Sequence, residues 1–278
     1  MGRGQGRAPL PEPPRRADRP VGRRRRRGSA RDDHRPRRAL AGGCCCRPGV
    51  AVLTLAIDTA SAWSTVAVVE GDVVLEEAEH RDPRGHAEVL ATLVSDVLAR
   101  AGRPRIDVVA CGVGPGPYTG LRIGVTTAQV LGLAWQAQVV GICSLDVIAA
   151  DALAGGAAGA FVVATDARRG EVYWAAYGPA GERISGPFVG RQSELDADIS
   201  ALPWFGEEED GSPQVRAGTL GRLANRLLEQ GEMPGAPVRT LSTHGTDDGL
   251  MAGELAGQRL LAPFPLYVRR PDAEPARA

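Results

Sequence analysis

The spacing of hydrophobic positions changes along this chain, and each change marks an element. Leu53 to Asp58 is an apolar run ending in an acid, the pattern of a buried strand. Thr65–Glu70 and Val73–Glu79 alternate or run apolar, as strands do, and Gly71-Asp72 between them is a two-residue hairpin signal. From Ala87 to Arg100 the spacing lengthens. Leu90, Leu93, Val94, Val97, Leu98 and Ala101 fall on one helical face, and Gly102 closes the helix. A strand over 106–111, a glycine-rich turn, a second helix and a strand at Val139–Cys143 follow. After Gly155–Gly159, read as a hinge, Phe161–Thr165 and Glu171–Tyr177 predict a hairpin around Asp166-Ala167-Arg168-Arg169-Gly170. A helix near Thr219–Gln230 carries Leu220, Leu223, Leu227 and Leu228 and ends at Gly231. The acidic Glu207–Asp210 cluster reads as a solvated loop, and the stretch from Pro263 to Ala273 as extended chain.

An antiparallel hairpin followed by helix-linked strands gives the order β-β-β-α-β-α-β. This α/β order, a mixed sheet with flanking helices, is that of the ribonuclease H-like fold shared by actin and sugar kinases. Residues 51–156 are expected to form the N-terminal lobe, and 157–278 the C-terminal lobe and tail. Such an analogy predicts architecture and leaves activity open.

The junction Gly112–Gly124, GVGPGPYTGLRIG, lies between a strand and a helix. Gly112, Gly114 and Gly116 permit backbone angles closed to other residues, Pro115 and Pro117 stiffen the turn, and Thr119 is placed to cap the helix. A loop of this kind either aims backbone N–H groups at an anion or is simply a tight turn. Behind it Gly120, Gly124, Ala128 and Gly132 recur every four residues, so one helical face is nearly bare backbone. Each interior glycine costs about 1 kcal/mol against alanine, which close approach of another backbone offsets. That backbone belongs either to the same chain or to a partner, and the partner is the favoured reading. Arg122, Thr126, Thr127 and Gln129 argue against a membrane span.

Charge divides the chain near residue 50. Residues 1–50 hold 15 of the 33 basic residues and only four of the 33 acids, net +11; the remainder holds 18 against 29, net −11. The Arg-rich leader has no apolar periodicity and is expected to be disordered. A nucleic-acid arm, a transit peptide and a translated upstream stretch are the competing readings; the third is favoured, with Val50 or Val52 as the start. Cys111 and Cys143 lie in apolar strands, as small buried hydrophobes do. With no secretory apolar region, a soluble cytoplasmic protein is expected.

Candidate chemistry is thin. The chain contains no lysine, which removes P-loop and Schiff-base mechanisms, and it has no G-x-S-x-G elbow. A degenerate nucleotide site would comprise Asp58, Thr59, Ser61, Gly114 and Gly116; equally, Asp58 is a strand-end acid capping a turn. Asp166 is followed by Ala167-Arg168-Arg169, whose side chains would crowd a phosphate. Asp166 and Arg168 are either an exposed salt bridge or a recognition pair.

Several motifs occur together in one order: LAIDTA with STVAVVEG over 55–71, HAEVL at 86–90, GPGPYTGLRIG at 114–124, DARRGEVYWAAY at 166–177 and PLYVRRPDA at 265–273. Together they resemble the TsaB (YeaZ) family of bacterial tRNA-modification proteins, with Tyr118 where the family usually has Phe. The resemblance implies a non-catalytic subunit that dimerises with and activates TsaD, the transferase that forms threonylcarbamoyladenosine at position 37 of tRNA. It implies a TsaE-type ATPase as a further partner, a homodimer when TsaD is scarce, and tRNA contact only through the complex. Two N-lobe helices would form the contact, through Gly120, Gly124, Ala128, Gly132, Leu90 and Leu93. TsaD-type proteins carry a metal-binding His pair at i, i+4; here Ser144 and Ile148 stand at those positions, so neither metal nor cofactor is expected in this subunit. An actin-like ATPase or small-molecule kinase is the alternative, and a glycoprotease-type peptidase a weaker one.

Overall fold

Glu70 pairs directly with Val73 across the Gly71-Asp72 turn, so the hairpin forms where the sequence predicts it, with Gly71 at φ +56°. The computed structural model describes residues 51–206, 215–235, 241–242, 250–251 and 258–268. The leader, the Glu207–Asp210 cluster and the end of the tail lie outside the described residues.

The first sheet is built from β1 (Leu53–Asp58), β2 (Trp63–Glu70), β3 (Val73–Arg81), β4 (Val108–Gly114) and β5 (Gln138–Cys143). β4 is buried at every position and runs parallel between β1 and β5, so it reads as a continuous apolar run. At the sheet edge β3 alternates exposed and half-buried residues. Helix α1 (His86–Arg100) lays His86, Leu90, Val94 and Val97 on this sheet, as its periodicity predicts. Helix α2 (Tyr118–Trp135) follows the glycine loop. Its N-cap is Pro117 and no side chain caps it, so the expected Thr119 cap is not formed; Thr119 lies exposed inside the first turn. Helix α3 (Ser144–Ala154) was not anticipated.

A second sheet, ordered β8-β7-β6-β9, holds β6 (Phe161–Asp166), β7 (Val172–Tyr177), β8 (Arg183–Gly190) and β9 (Trp204–Phe205), with a short α4 (Ala197–Ser200) between the last two. The chain then returns to the first sheet. Helix α5 (Ala217–Glu229) packs there, and its buried Asn225 accepts from Thr54 Oγ1 and donates to the Gly71 carbonyl at 2.8 Å. Gly221 allows the approach, since a Cβ there would lie 2.6 Å from Val69. Two short strands, β10 (Leu241–Ser242) and β11 (Leu250–Met251), pair with each other. Finally β12 (Leu260–Leu261) adds antiparallel to β5.

The linear division at residue 156 is therefore corrected. The second sheet ends near Phe205, and α5 and β12 belong to the first lobe. The physical reason is coverage. Without α5 the apolar face formed by Ala56 and Val69 would meet water, and burial of such surface contributes about 25 cal/mol per Å².

Candidate functional site

At the top of β1 the chain turns through Asp58-Thr59-Ala60, and the side chains of Asp58 and Thr59 are hydrogen-bonded within the chain. Asp58 Oδ1 accepts the Ala60 N–H at 2.8 Å, and Oδ2 accepts the Ser144 hydroxyl at 2.8 Å. Ser144 Oγ in turn accepts the Gly114 N–H at 3.3 Å. Thr59 Oγ1 donates to the Gly120 carbonyl at 2.8 Å. Burial raises the Asp58 carboxyl to about 6, against the lowering effect of these two hydrogen bonds. Nearby, burial pushes the Cys111 thiol up to about 12, so it is inert as a nucleophile.

The glycines explain this arrangement. A Cβ at Gly112 would overlap Asp58 Oδ2; at Gly116 it would sit 2.2 Å from the Ala60 carbonyl oxygen. At Gly120 it would sit 2.5 Å from the Thr59 carbonyl oxygen, and at Gly124 2.3 Å from Thr59 Oγ1. Four glycines at four-residue intervals thus accommodate three residues of the same chain. Further along, Gly132 faces Val139 of β5, and Ala128 is fully buried.

Two expectations are corrected here. Gly120, Gly124, Ala128 and Gly132 do not form a docking surface, because β1, its following turn and β5 already cover them. Leu90 is 1% exposed and serves the core, so it too is withdrawn from the contact, whereas Leu93 is half-buried and keeps part of its side chain at the surface. The helical period identified which residues share a face but not which backbone meets that face. Of the nucleotide-site candidates, Asp58 acts as the turn-capping acid. Thr59 binds Gly120, and Gly116 is filled by Ala60. Ser61 faces the cleft between the lobes.

The outer face of α2 is open at the surface. Arg122, Thr126, Val130 and Leu133 lie in one row on it, with Val130 59% and Leu133 84% exposed. The two apolar residues at i, i+3, opposite the glycine ridge, were the sequence signal for this face. At the other end of the helix Tyr118 stacks on Tyr267, ring centroids 4.8 Å apart.

A cleft of about 550 Å³ opens between the lobes, lined by Ser61, Pro115, Ser144, Asp166, Arg168 and Trp204. The Asp166–Arg168 pair spans 3.8 Å at side chains 68% and 70% exposed, which makes it a weak bridge. The lobes are tied beneath the cleft by groups the sequence reading missed. Asp146 of α3 accepts from the Tyr177 hydroxyl at 2.7 Å and lies 3.5 Å from Arg183 Nε, with both charged side chains buried. Neighbouring positions carry no hint of this pair, because its members are distant in sequence. Ile148 is buried in the core and Ser144 is bonded to Asp58; no group of three or more His, Cys, Asp or Glu suited to a metal occurs among the described residues. Among those residues, too, no helix is long and apolar enough to cross a membrane.

The central parallel strands, antiparallel hairpin and second sheet place the chain in the actin-like, ribonuclease H-like class. The structure of YeaZ from Pseudomonas aeruginosa superposes with a TM-score of 0.56 at 29% identity, over 65% of this chain and 93% of that one. Residues 73–207 match the family described as "TsaD: tRNA N6-adenosine threonylcarbamoyltransferase". An uncharacterized protein of Mycobacterium leprae is 37% identical over 81% of this chain and 57% of its own length. The Escherichia coli protein named "tRNA threonylcarbamoyladenosine biosynthesis protein TsaB" is 38% identical over 44% of this chain and 54% of its own. The chain thus spans just over half the length of these two relatives. It belongs to the TsaB/YeaZ family.

Proposed function

We propose that this chain is a non-catalytic subunit in the formation of threonylcarbamoyladenosine on tRNA, docking with and activating a TsaD-type transferase. The observation that carries the reading is the filled glycine cradle. The Gly112–Gly120 loop that could receive a phosphate receives Asp58, Thr59 and Ala60 instead. A chain so arranged lacks the open anion site that phosphoryl transfer needs. The family's tRNA role supplies the process, and the exposed Val130–Leu133 end of α2 supplies the contact. Exposed apolar patches of this kind mark interaction surfaces. No cofactor or metal belongs to this subunit. A TsaE-type ATPase joins the assembly, the setting is the cytoplasm, and the chain pairs with itself when its partner is scarce.

Co-expression with the TsaD-type protein of the same organism tests the proposal. The wild-type pair should co-elute, and Leu133→Glu should abolish co-elution while the variant melts like the wild type. Retention of the complex by Leu133→Glu would remove α2 from the interface. Formation of the modified nucleoside by this chain alone, or turnover of Mg-ATP by it, would overturn the non-catalytic assignment.

A further inference from the structure

Beside the interlobe cleft lies a smaller groove of about 360 Å³, lined by Tyr118, Tyr173, Tyr267, Arg168 and Arg169. The family assignment does not account for it. Three aromatic rings and two guanidinium groups share one concavity. A third arginine, Arg122, lies over the Tyr118 ring, 5.3 Å from its centroid, and donates to the Tyr118 hydroxyl at 3.0 Å. The tip of the β6–β7 hairpin presents its arginines deliberately: Arg168 and Arg169 both adopt the left-handed region, φ +66° and +60°. Non-glycine residues rarely do so in succession. Asp166 Oδ1 accepts the Arg168 N–H at 2.8 Å and so fixes the turn. Its ion pair with the Arg168 side chain is long and exposed, so a phosphate displaces it at little cost.

We infer that this groove binds single-stranded RNA, with an unstacked base against the tyrosines and the adjoining phosphates on Arg168 and Arg169. Stacking platforms edged by arginine are the physical basis of single-strand recognition. The net −11 charge of residues 51–278 opposes broad phosphate contact, but it does not decide a local one. Arg122, Arg168 and Arg169 stand at this place against Asp166 and Glu171, a local excess of one positive charge. The inference rests on the reading that the chain acts on tRNA, and it goes further by giving this subunit a contact of its own. The groove is also separate from the proposed partner contact: Tyr118 and Leu133 stand about 22 Å apart along α2 at 1.5 Å per residue.

Fluorescence anisotropy with labelled octaadenylate RNA, on the full chain and on its complex with the transferase, tests this. Paired Arg168→Asn and Arg169→Asn substitutions keep the left-handed turn, which asparagine tolerates. They should weaken binding at least about tenfold and lower the salt dependence by about 0.7 per lost phosphate contact. Tyr118→Ala should weaken it about tenfold and Tyr118→Phe should leave it unchanged. Absence of RNA binding by a wild-type complex that forms normally overturns this inference and leaves the proposed function standing. So does an affinity within twofold of wild type for the asparagine pair, whose thermal melt checks that it is folded. Displacement of the RNA by free AMP at equal nucleotide concentration also overturns it, in favour of a small-nucleotide site. RNA binding by a chain that never pairs with the transferase supports the groove and sinks the subunit reading.

Discussion

The two faces of α2 make opposite use of the same helix. The inner face, Gly120, Gly124, Ala128 and Gly132, has almost no side chains and lets the β1 turn come within hydrogen-bond reach of the helix backbone. The outer face ends in Val130 and Leu133, which are large, apolar and exposed. One face is therefore a matter of folding, and the other is the one we propose for association. Small residues signal that something approaches closely; neighbouring exposed apolar residues offer a surface on which another chain can pack.

The largest effect should come from the inner face. Gly120→Ala places a methyl 2.5 Å from a backbone oxygen that cannot rotate away. Overpacking of this kind is expected to cost about 3 kcal/mol, read as a lower urea midpoint. If that variant stays as stable as wild type and loses only its partner, the assignment of the two faces is reversed.

Titration of Asp58 offers a second probe of the inner face. The folded carboxyl stands at about 6, above its ordinary value near 3.8, so the folded state holds the proton more tightly than the unfolded chain. Stability is then greatest below pH 4 as far as this group is concerned and declines as pH rises to 6, by up to about 3 kcal/mol. Asp58→Asn still accepts the Ala60 N–H and can donate to Ser144, and it should flatten that decline. Chemical denaturation across pH 4 to 7 measures the difference between the two proteins. An unchanged slope means that water reaches the carboxylate.

On the outer face, Leu133→Glu is expected to cost about 2 kcal/mol of partner affinity, roughly thirtyfold, with stability changed by less than about 0.5 kcal/mol. Calorimetric titration with the purified transferase reads the first quantity and thermal melting the second. Together with Gly120→Ala this gives a crossed pair, in which each variant moves one observable and spares the other.

The same contrast explains what the sequence reveals. Periodicity placed α1 because Leu90, Val94 and Val97 recur against exposed Thr92, Ser95 and Asp96. It missed α3 because Ser144 to Ala149 are buried without a break, so no polar side exists to mark a period. In β8, Gly186-Pro187 reads as a turn and conceals a strand. The return of α5 to the first sheet leaves no local mark, since Asn225 meets Thr54 and Gly71 from far along the chain. At the site, the glycine spacing was visible and its occupant was not. A bare helical face looks the same in sequence whether its own chain or another covers it.

The smallest effects test the fit between Thr59 and the ridge atom by atom. Thr59→Ala removes the hydrogen bond to the Gly120 carbonyl, a loss of about 1 kcal/mol. It also removes the Oγ1 that a Cβ at Gly124 would meet at 2.3 Å, leaving the Thr59 Cβ at 3.4 Å, an ordinary contact. Gly124→Ala should accordingly be costly in the wild-type background and mild in the Thr59→Ala background. A coupling of about 1 kcal/mol in a double-mutant cycle is expected, because the two changes share one contact. Additive costs would mean that α2 shifts outward to admit the methyl. In that event the same substitution should also alter the Val130–Leu133 end, and partner affinity measured on the single variant would reveal it.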